Sequence, residues 1–200
     1  PGTPAVRKAV ADRLDADWGL DYTPEEIVVS GGGKPILYVA LKTLIDPGDE
    51  VILPAPYWVS SYELIKTVGG VPVVITTTEE NGFNLTPEQL QAAITPKTKA
   101  LMLNSPSNPT GMIYSREHLE DIAKVCLDND LYVIADEMYS KLVFDNKEFV
   151  SFPTLSQEIK ARTILVGGAS KTYAMTGWRI GFAAASKEIV QVMSNYLSHS

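Results

Sequence analysis

Leu131-Tyr132-Val133-Ile134-Ala135-Asp136-Glu137 is the stretch that decides the fold. From Leu131 to Ala135 the run is continuously apolar or aromatic, with no polar residue at every second place. Strict alternation would mark a sheet with one wet face, whereas a continuous run marks a strand covered on both faces. Immediately before it, Ser115 to Leu127 reads as a helix, with Leu119, Ile122 and Cys126 in register on one side. The same alternation spreads outward in both directions. Strands are predicted at Ile27–Val29, Val51–Leu53, Val71–Ile75, Ala100–Leu103, Thr163–Val166 and Gly181–Ala185. Helices are predicted from the Thr3-Pro4 cap to Gly19, from about Pro35 to Leu44, from Val59 to Val68, from the Thr86-Pro87 cap to Ile94, and from Ser186 to Ser200. Helices interleaved with buried strands specify an α/β domain with a mostly parallel sheet covered on both faces. Ligands of such sheets bind at the carboxyl ends of the strands.

Two hundred residues with 45% hydrophobic and 20% charged side chains suffice for one well-buried domain. No repeat, low-complexity tract or internal linker interrupts them. The 17 basic residues against 24 acidic ones leave a formal net charge of −7. That balance argues against nucleic acid as a partner, since phosphate contacts need clustered Lys and Arg. The single cysteine, Cys126, excludes an intramolecular disulfide framework and reads as a core residue. No apolar run reaches the roughly 18 residues of a membrane span. The opening Pro1-Gly2-Thr3-Pro4 is unlike a signal peptide, so a soluble, cytoplasmic protein is expected. The missing initiator Met and the helix running to the last residue suggest a piece of a longer chain.

Several familiar chemistries fail on spacing. Ser30-Gly31-Gly32-Gly33-Lys34-Pro35 matches neither G-x-x-x-x-G-K-[ST] nor G-x-G-x-x-G. The strand ending in Asp136 resembles the magnesium-binding strand of ATPases but lacks the phosphate loop that would accompany it. His118 and His199 are the only histidines, no G-x-S-x-G occurs, and no Cys/His cluster has zinc spacing. Neither metal catalysis nor serine or cysteine hydrolysis is expected.

Four loop features remain. Gly32-Gly33-Lys34 meets a helix N-terminus, and Asn108 stands in an Asn-Pro-Thr-Gly loop. Asp136 ends a buried strand with Tyr139 close behind, and Lys171 follows a strand and a Gly-Gly turn with Arg179 beyond it. Pyridoxal 5'-phosphate (PLP) chemistry is consistent with all four. It needs a lysine for the aldehyde, an acid at the pyridine nitrogen, donors at the phenolic oxygen and a phosphate site. Glycines at a helix N-terminus supply free amides and a favourable dipole for phosphate, and an arginine adds a bidentate clamp. Singly, each feature has a plainer reading. Asp136 could cap a helix, Lys171 could be a solvated lysine, Tyr139, Trp58 and Trp178 could be packing, Gly32-Gly33 a tight turn and Arg179 a structural ion pair. Jointly these plain readings are weak, because each role is filled once.

Asn104–Gly111 (NSPSNPTG), Ala135–Tyr139 (ADEMY) and Ser170–Gly181 (SKTYAMTGWRIG) resemble the signature segments of the class I/II aminotransferases, the fold-type-I PLP enzymes. Asp46–Val51 (DPGDEV) and Pro54–Ser60 (PAPYWVS) resemble the bacterial aspartate aminotransferase branch. The likeness runs through nearly the whole chain, in the family's order. It implies a three-layer α/β/α fold, with residues 1–200 as the PLP-binding large domain. It also implies that Lys171 holds the cofactor as a Schiff base and then shuttles the proton. Asp136 would pair with the pyridine nitrogen, and Tyr139 and Asn108 would donate to the phenolic oxygen. Trp58 would stack on the ring, with Trp58 and Asn108 bordering the substrate. Arg179 and the backbone of Gly32, Gly33 and Lys34, with Ser170, would hold the phosphate, and the Lys34 side chain could meet a distal substrate carboxylate, the phosphate or solvent. One departure is Gly168, where many relatives carry a Ser or Thr phosphate ligand. The implied activity is transamination, most simply from aspartate to 2-oxoglutarate, by a homodimer. An aromatic, alanine or prephenate aminotransferase, a C–S lyase of the same fold, and a truncated PLP-binding module without turnover are the alternatives. The arginine that binds the substrate α-carboxylate, the closing N-terminal segment and a tyrosine from the partner subunit would lie outside these residues.

Overall fold

The computed structural model describes residues 1–199, so the predicted helix end at Ser200 lies outside the described residues. In chain order the elements are α1 (Pro4–Trp18), β1 (Ile27–Ser30), α2 (Gly33–Leu44), β2 (Glu50–Ala55), α3 (Val59–Thr67), β3 (Val71–Thr76), α4 (Pro87–Ala93) and β4 (Thr98–Asn104). There follow α5 (Arg116–Asp128), β5 (Tyr132–Asp136), α6 (Gln157–Ala161), β6 (Thr163–Gly168), α7 (Ala169–Thr172), β7 (Gly181–Ala184) and α8 (Lys187–Ser198). The caps that announced the helices are in place. Thr3 accepts from the Val6 amide and Gly19 closes α1 in the left-handed conformation. Thr86 and Gln89 form a reciprocal capping box on α4, and Ser115 and Ser186 accept from His118 and Ile189 at the heads of α5 and α8. Helix α2 begins at Gly33, two residues earlier than expected. Pro35 falls in its first turn, where no intrahelical N–H is required, so it does not mark the start. The short helices α6 and α7 went unread, because so few residues carry no periodicity.

The seven strands form one sheet in the order β1-β7-β6-β5-β4-β2-β3. Neighbours from β3 through β6 are parallel, and β7 runs antiparallel to both β6 and β1. The mostly parallel α/β fold of the sequence reading is therefore observed. Its strands alternate inward residues between two faces. On one face Ile134, Ile164, Val166 and Met102 pack against Ile36, Leu37, Ala40 and Leu41 of α2 and Val190 and Met193 of α8. On the other, Val133, Ala135, Leu101 and Ile52 pack against Leu119, Ile122 and Cys126 of α5, Leu90 of α4 and Ile159 of α6. Ala11 and Leu14 of α1 extend that second layer over Ile27, Leu165 and Ala184. The result is a three-layer α/β/α sandwich, with Cys126 fully buried in it as expected.

The sheet also brings the loops of interest to one edge. The ends of β4 and β5 are in register, Asn104 opposite Asp136, and Asp136 faces Val166 near the end of β6. Because β7 is antiparallel, its beginning rather than its end reaches this edge, with Gly181 opposite both Gly168 and Ser30. Arg179 precedes β7 and so arrives beside the turn from β1 into α2.

Candidate functional site

At that edge lies a cavity of about 210 Å³, lined by Gly33, Lys34, Trp58, Asn108, Asp136, Tyr139, Ser170, Lys171 and Arg179. Every site residue singled out in the sequence lines it except Gly32, which sits behind Arg179. Among its lining residues Asp136 is the only acid, against the cations Lys34, Lys171 and Arg179. Among the described residues no group of three or more His, Cys, Asp or Glu side chains is placed to hold a metal ion.

Asp136 ends β5 and is 6% exposed. Its carboxylate accepts one hydrogen bond among the described residues, from the Met138 amide at 3.3 Å. Burial pushes its pKa up to about 6, with the Met138 amide opposing the rise. A carboxylate so short of partners is suited to meeting a cation or an N–H donor from a bound molecule. The adjoining turn, closed by a bond from the Ser140 amide to the Glu137 carbonyl, carries Tyr139. Asn108 Nδ2 donates to the Tyr139 hydroxyl at 3.4 Å. The loop Ser105–Gly111 thus meets the turn after β5, and both polar groups point into one space.

The head of α2 supplies the opposite wall. No side chain caps this helix, so the first-turn amides of Gly33 and Lys34 are left for a ligand, and the helix dipole favours an anion there. Gly32 has φ of 121°, which L side chains rarely adopt, and a Cβ on it would stand 2.5 Å from Arg179 Nη2. The guanidinium therefore lies directly over the glycine backbone. Arg179 itself is in the left-handed conformation, with Nη1 donating to the Thr176 carbonyl at 3.3 Å. Lys34 Nζ lies 4.9 Å from the centre of the Trp58 ring, and Trp58 is the N-cap residue of α3.

Lys171 and Ser170 are on α7, the single turn that follows β6. The departure at Gly168 has a steric cause. A Cβ there would come within 2.9 Å of the Ile180 carbonyl and 3.1 Å of Met138 Sδ. Met138 fills the room that a Ser or Thr side chain would take. Met138, Asn104, Leu37 and Thr176 complete the lining and were absent from the sequence reading. Met138 and Asn104 lie inside the quoted ADEMY and NSPSNPTG segments, which was the available signal. A larger, mainly apolar cavity of about 290 Å³ lies behind α7, between α1 and the sheet, and none of the sequence-predicted residues line it.

The donor set fits a phosphorylated pyridine aldehyde. It offers open helix-head amides beside an arginine, a buried acid with one weak hydrogen bond from the Met138 amide, an amide–phenol pair and a primary amine.

The chain is similar to known proteins along its whole length. It is 49% identical over 199 residues to aspartate aminotransferases of Bacillus sp. (strain YM-2) and of Geobacillus stearothermophilus, covering 100% of this chain and 51% of each relative. The crystal structure of the aspartate aminotransferase from Rhizobium meliloti superposes with a TM-score of 0.97 at 42% identity, covering 100% of this chain and 50% of that one. The chain thus spans about half the length of the curated relatives it matches. The family model for aminotransferase class I and II matches residues 1–200. The chain belongs to the class I and II aminotransferases.

Proposed function

We propose that the protein is a PLP-dependent aminotransferase that moves the amino group of aspartate to 2-oxoglutarate, with residues 1–200 forming its cofactor-binding large domain. The observation that carries this reading is the convergence of Asp136 and Tyr139 after β5, Asn108 after β4, Lys171 after β6 and Arg179 before β7 on one cavity. When bound, PLP supplies an electron-accepting ring that stabilises negative charge on the substrate carbon losing its proton.

Asp136 holds the ring nitrogen in its protonated form. The pairing also relieves the carboxylate, since a buried charge with a cationic partner costs less than the same charge alone. Asn108 and Tyr139 donate to the phenolic oxygen. Arg179, the Gly32–Lys34 backbone and Ser170 hold the phosphate. Trp58 covers one face of the ring, and Trp58 and Asn108 border the amino acid. Lys171 Nζ would hold the cofactor's aldehyde and would be the group that accepts and returns the substrate proton. Lys34, on the same cavity, would meet the distal carboxylate of a dicarboxylic donor. The names of the two relatives above support aspartate as donor. The active form is a cytoplasmic homodimer. Among the described residues no helix is long and apolar enough to cross a membrane, which is consistent with that setting.

The test uses the full-length protein. PLP is titrated in while the visible spectrum is followed, and borohydride reduction with peptide mapping then locates the pyridoxyl group. A label on Lys171 is expected, with loss of the visible band on adding L-aspartate and its return with 2-oxoglutarate. A label elsewhere, or no PLP binding, overturns the reading. Conversion by L-phenylalanine, L-alanine or prephenate's amino product in preference to aspartate overturns the donor alone.

A further inference from the structure

Asn104, the last residue of β4, uses its amide at both ends. Its Oδ1 accepts from the backbone N–H of Asn108 at 2.7 Å, and its Nδ2 donates to the backbone carbonyl of Asp136 at 2.9 Å. Both partners are main-chain groups of fixed sense, a donor and an acceptor, so the amide can be read in only one orientation. The Asp136 end of this bridge is already fixed, because Asn104 and Asp136 are register partners in the sheet and the Ser105 amide also reaches the Asp136 carbonyl.

Among the described residues, the Asn108 end has no such support. After Asn104 the chain leaves the sheet, and the loop closes on itself through bonds from Ser107 to Met112 and from Gly111 to Ser107. Among the described residues, the bond to Asn104 is the one that ties the Asn108 main chain back to the strand ends. The Asn108 side chain reaches the Tyr139 hydroxyl only at 3.4 Å, a weak tie. No other residue type offers both functions at this length. Asp lacks the donor, Ser and Thr are too short to span both partners, and Gln is a methylene longer.

We propose that Asn104 is a positioning residue that fixes Asn108 relative to Asp136. It thereby sets the spacing between the group that meets the ring nitrogen and the group that meets the phenolic oxygen. The proposal rests on the PLP reading given above.

It is tested in the full-length protein loaded with PLP, by the pH midpoint at which the visible band changes. A donor to the phenolic oxygen favours its ionised form and lowers that midpoint, so Asn108→Ala should raise it by about one unit. Asn104→Ala should raise it in the same direction, by half of that or more. Asn104→Leu, which keeps the volume but neither hydrogen bond, should do the same and serves if the alanine variant folds poorly. Adding Asn108→Ala to either should shift the midpoint little further, because Asn104 acts through Asn108. An unchanged midpoint in both Asn104 variants overturns the proposal, even with a lowered thermal midpoint, since that is the mark of a merely structural residue. Shifts that add in the double variants also overturn it. A wild-type protein with no visible band removes the PLP reading, and this proposal with it, whereas a normal wild-type band with unmoved variants removes this proposal alone.

Discussion

At the residue scale, β5 delivers two buried acids in succession. Asp136 faces the cavity. Glu137 turns to the opposite side, where its carboxyl accepts from the Ser151 hydroxyl at 2.7 Å and the Phe152 amide at 2.8 Å. Burial raises Asp136 to about 6 and Glu137 to about 8, the latter pushed further by the neighbouring Asp136 charge and restrained by its two donors. For Asp136 without cofactor, the folded state keeps a proton between pH 4 and 6 that the unfolded state has lost. Stability from this group therefore falls as pH rises through that window, and its full cost, on the order of 3 kcal/mol, stands at pH 7. Asp136→Asn should accordingly raise the thermal midpoint of the cofactor-free protein at pH 7 and make little difference below pH 4. The same variant should weaken PLP binding at least about tenfold, since the ring nitrogen loses its anionic partner. A destabilised Asp136→Asn apoprotein at pH 7 would show that the carboxylate is not suffering from burial. Glu137 follows the same sign at higher pH, with stability lost from about 5 to 8. Glu137→Gln keeps an acceptor for Phe152 and a partner for Ser151. It should stay within about 1 kcal/mol of wild type at pH 4 and become the more stable of the two at pH 9, as denaturation curves at both pH values would reveal.

At the element scale, the turn bearing Tyr139 opens a long loop, residues 138–151, that is fastened from behind by the end of α1. Lys141 pairs with Asp17 at 2.8 Å and lies 4.4 Å from the Trp18 ring centre, and Phe149 meets the same ring edge-on at 4.9 Å. Both arms of the loop thus rest on one half-buried tryptophan. Trp18→Ala should cost about 2–3 kcal/mol in denaturant unfolding. It should also speed amide hydrogen exchange across 139–151 more than across α5, because the loop would be released before the core. Equal acceleration in both places would mean that Trp18 supports the whole layer and not the loop. Fastenings of this kind were not legible in the sequence. The strands, the capped helices and the loop segments that bring Asp136, Lys171, Asn108 and Arg179 to one cavity were, because buried runs, caps and motif spacing are local signals. The antiparallel course of β7 was not, since Gly181–Ala185 reads alike in either direction and only the chain geometry from residue 169 to 180 reverses it. The bridge through Asn104 was missed because its partners are main-chain groups on two loops, which no residue type advertises. Met138 was missed because its role is to occupy volume that Gly33 and Gly168 leave open.

At the scale of the whole molecule, β5 is the strand on which both layers depend. Val133 and Ile134 are consecutive and fully buried, yet they belong to different cores, Val133 beneath α5 and Ile134 beneath α2. The pleat sends them to opposite faces of a sheet that is one backbone thick. Deleting either side chain to alanine should leave a cavity on its own face only, costing about 2 kcal/mol for Val133 and about 3 kcal/mol for Ile134. Sequence neighbours normally make poor candidates for additivity, because they share packing partners. Here the sheet separates their partners, so the double variant should lose the sum of the two to within about 0.5 kcal/mol. The Asp136 carboxylate would stay buried in all three variants, and PLP binding should be kept wherever the protein remains folded. Denaturant titration of both single variants and the double decides the matter. A double loss well short of the sum would mean that one cavity lets the sheet relax toward the other face. The three layers would then act as one continuous core, and the strand end would no longer be a fixed platform for the site.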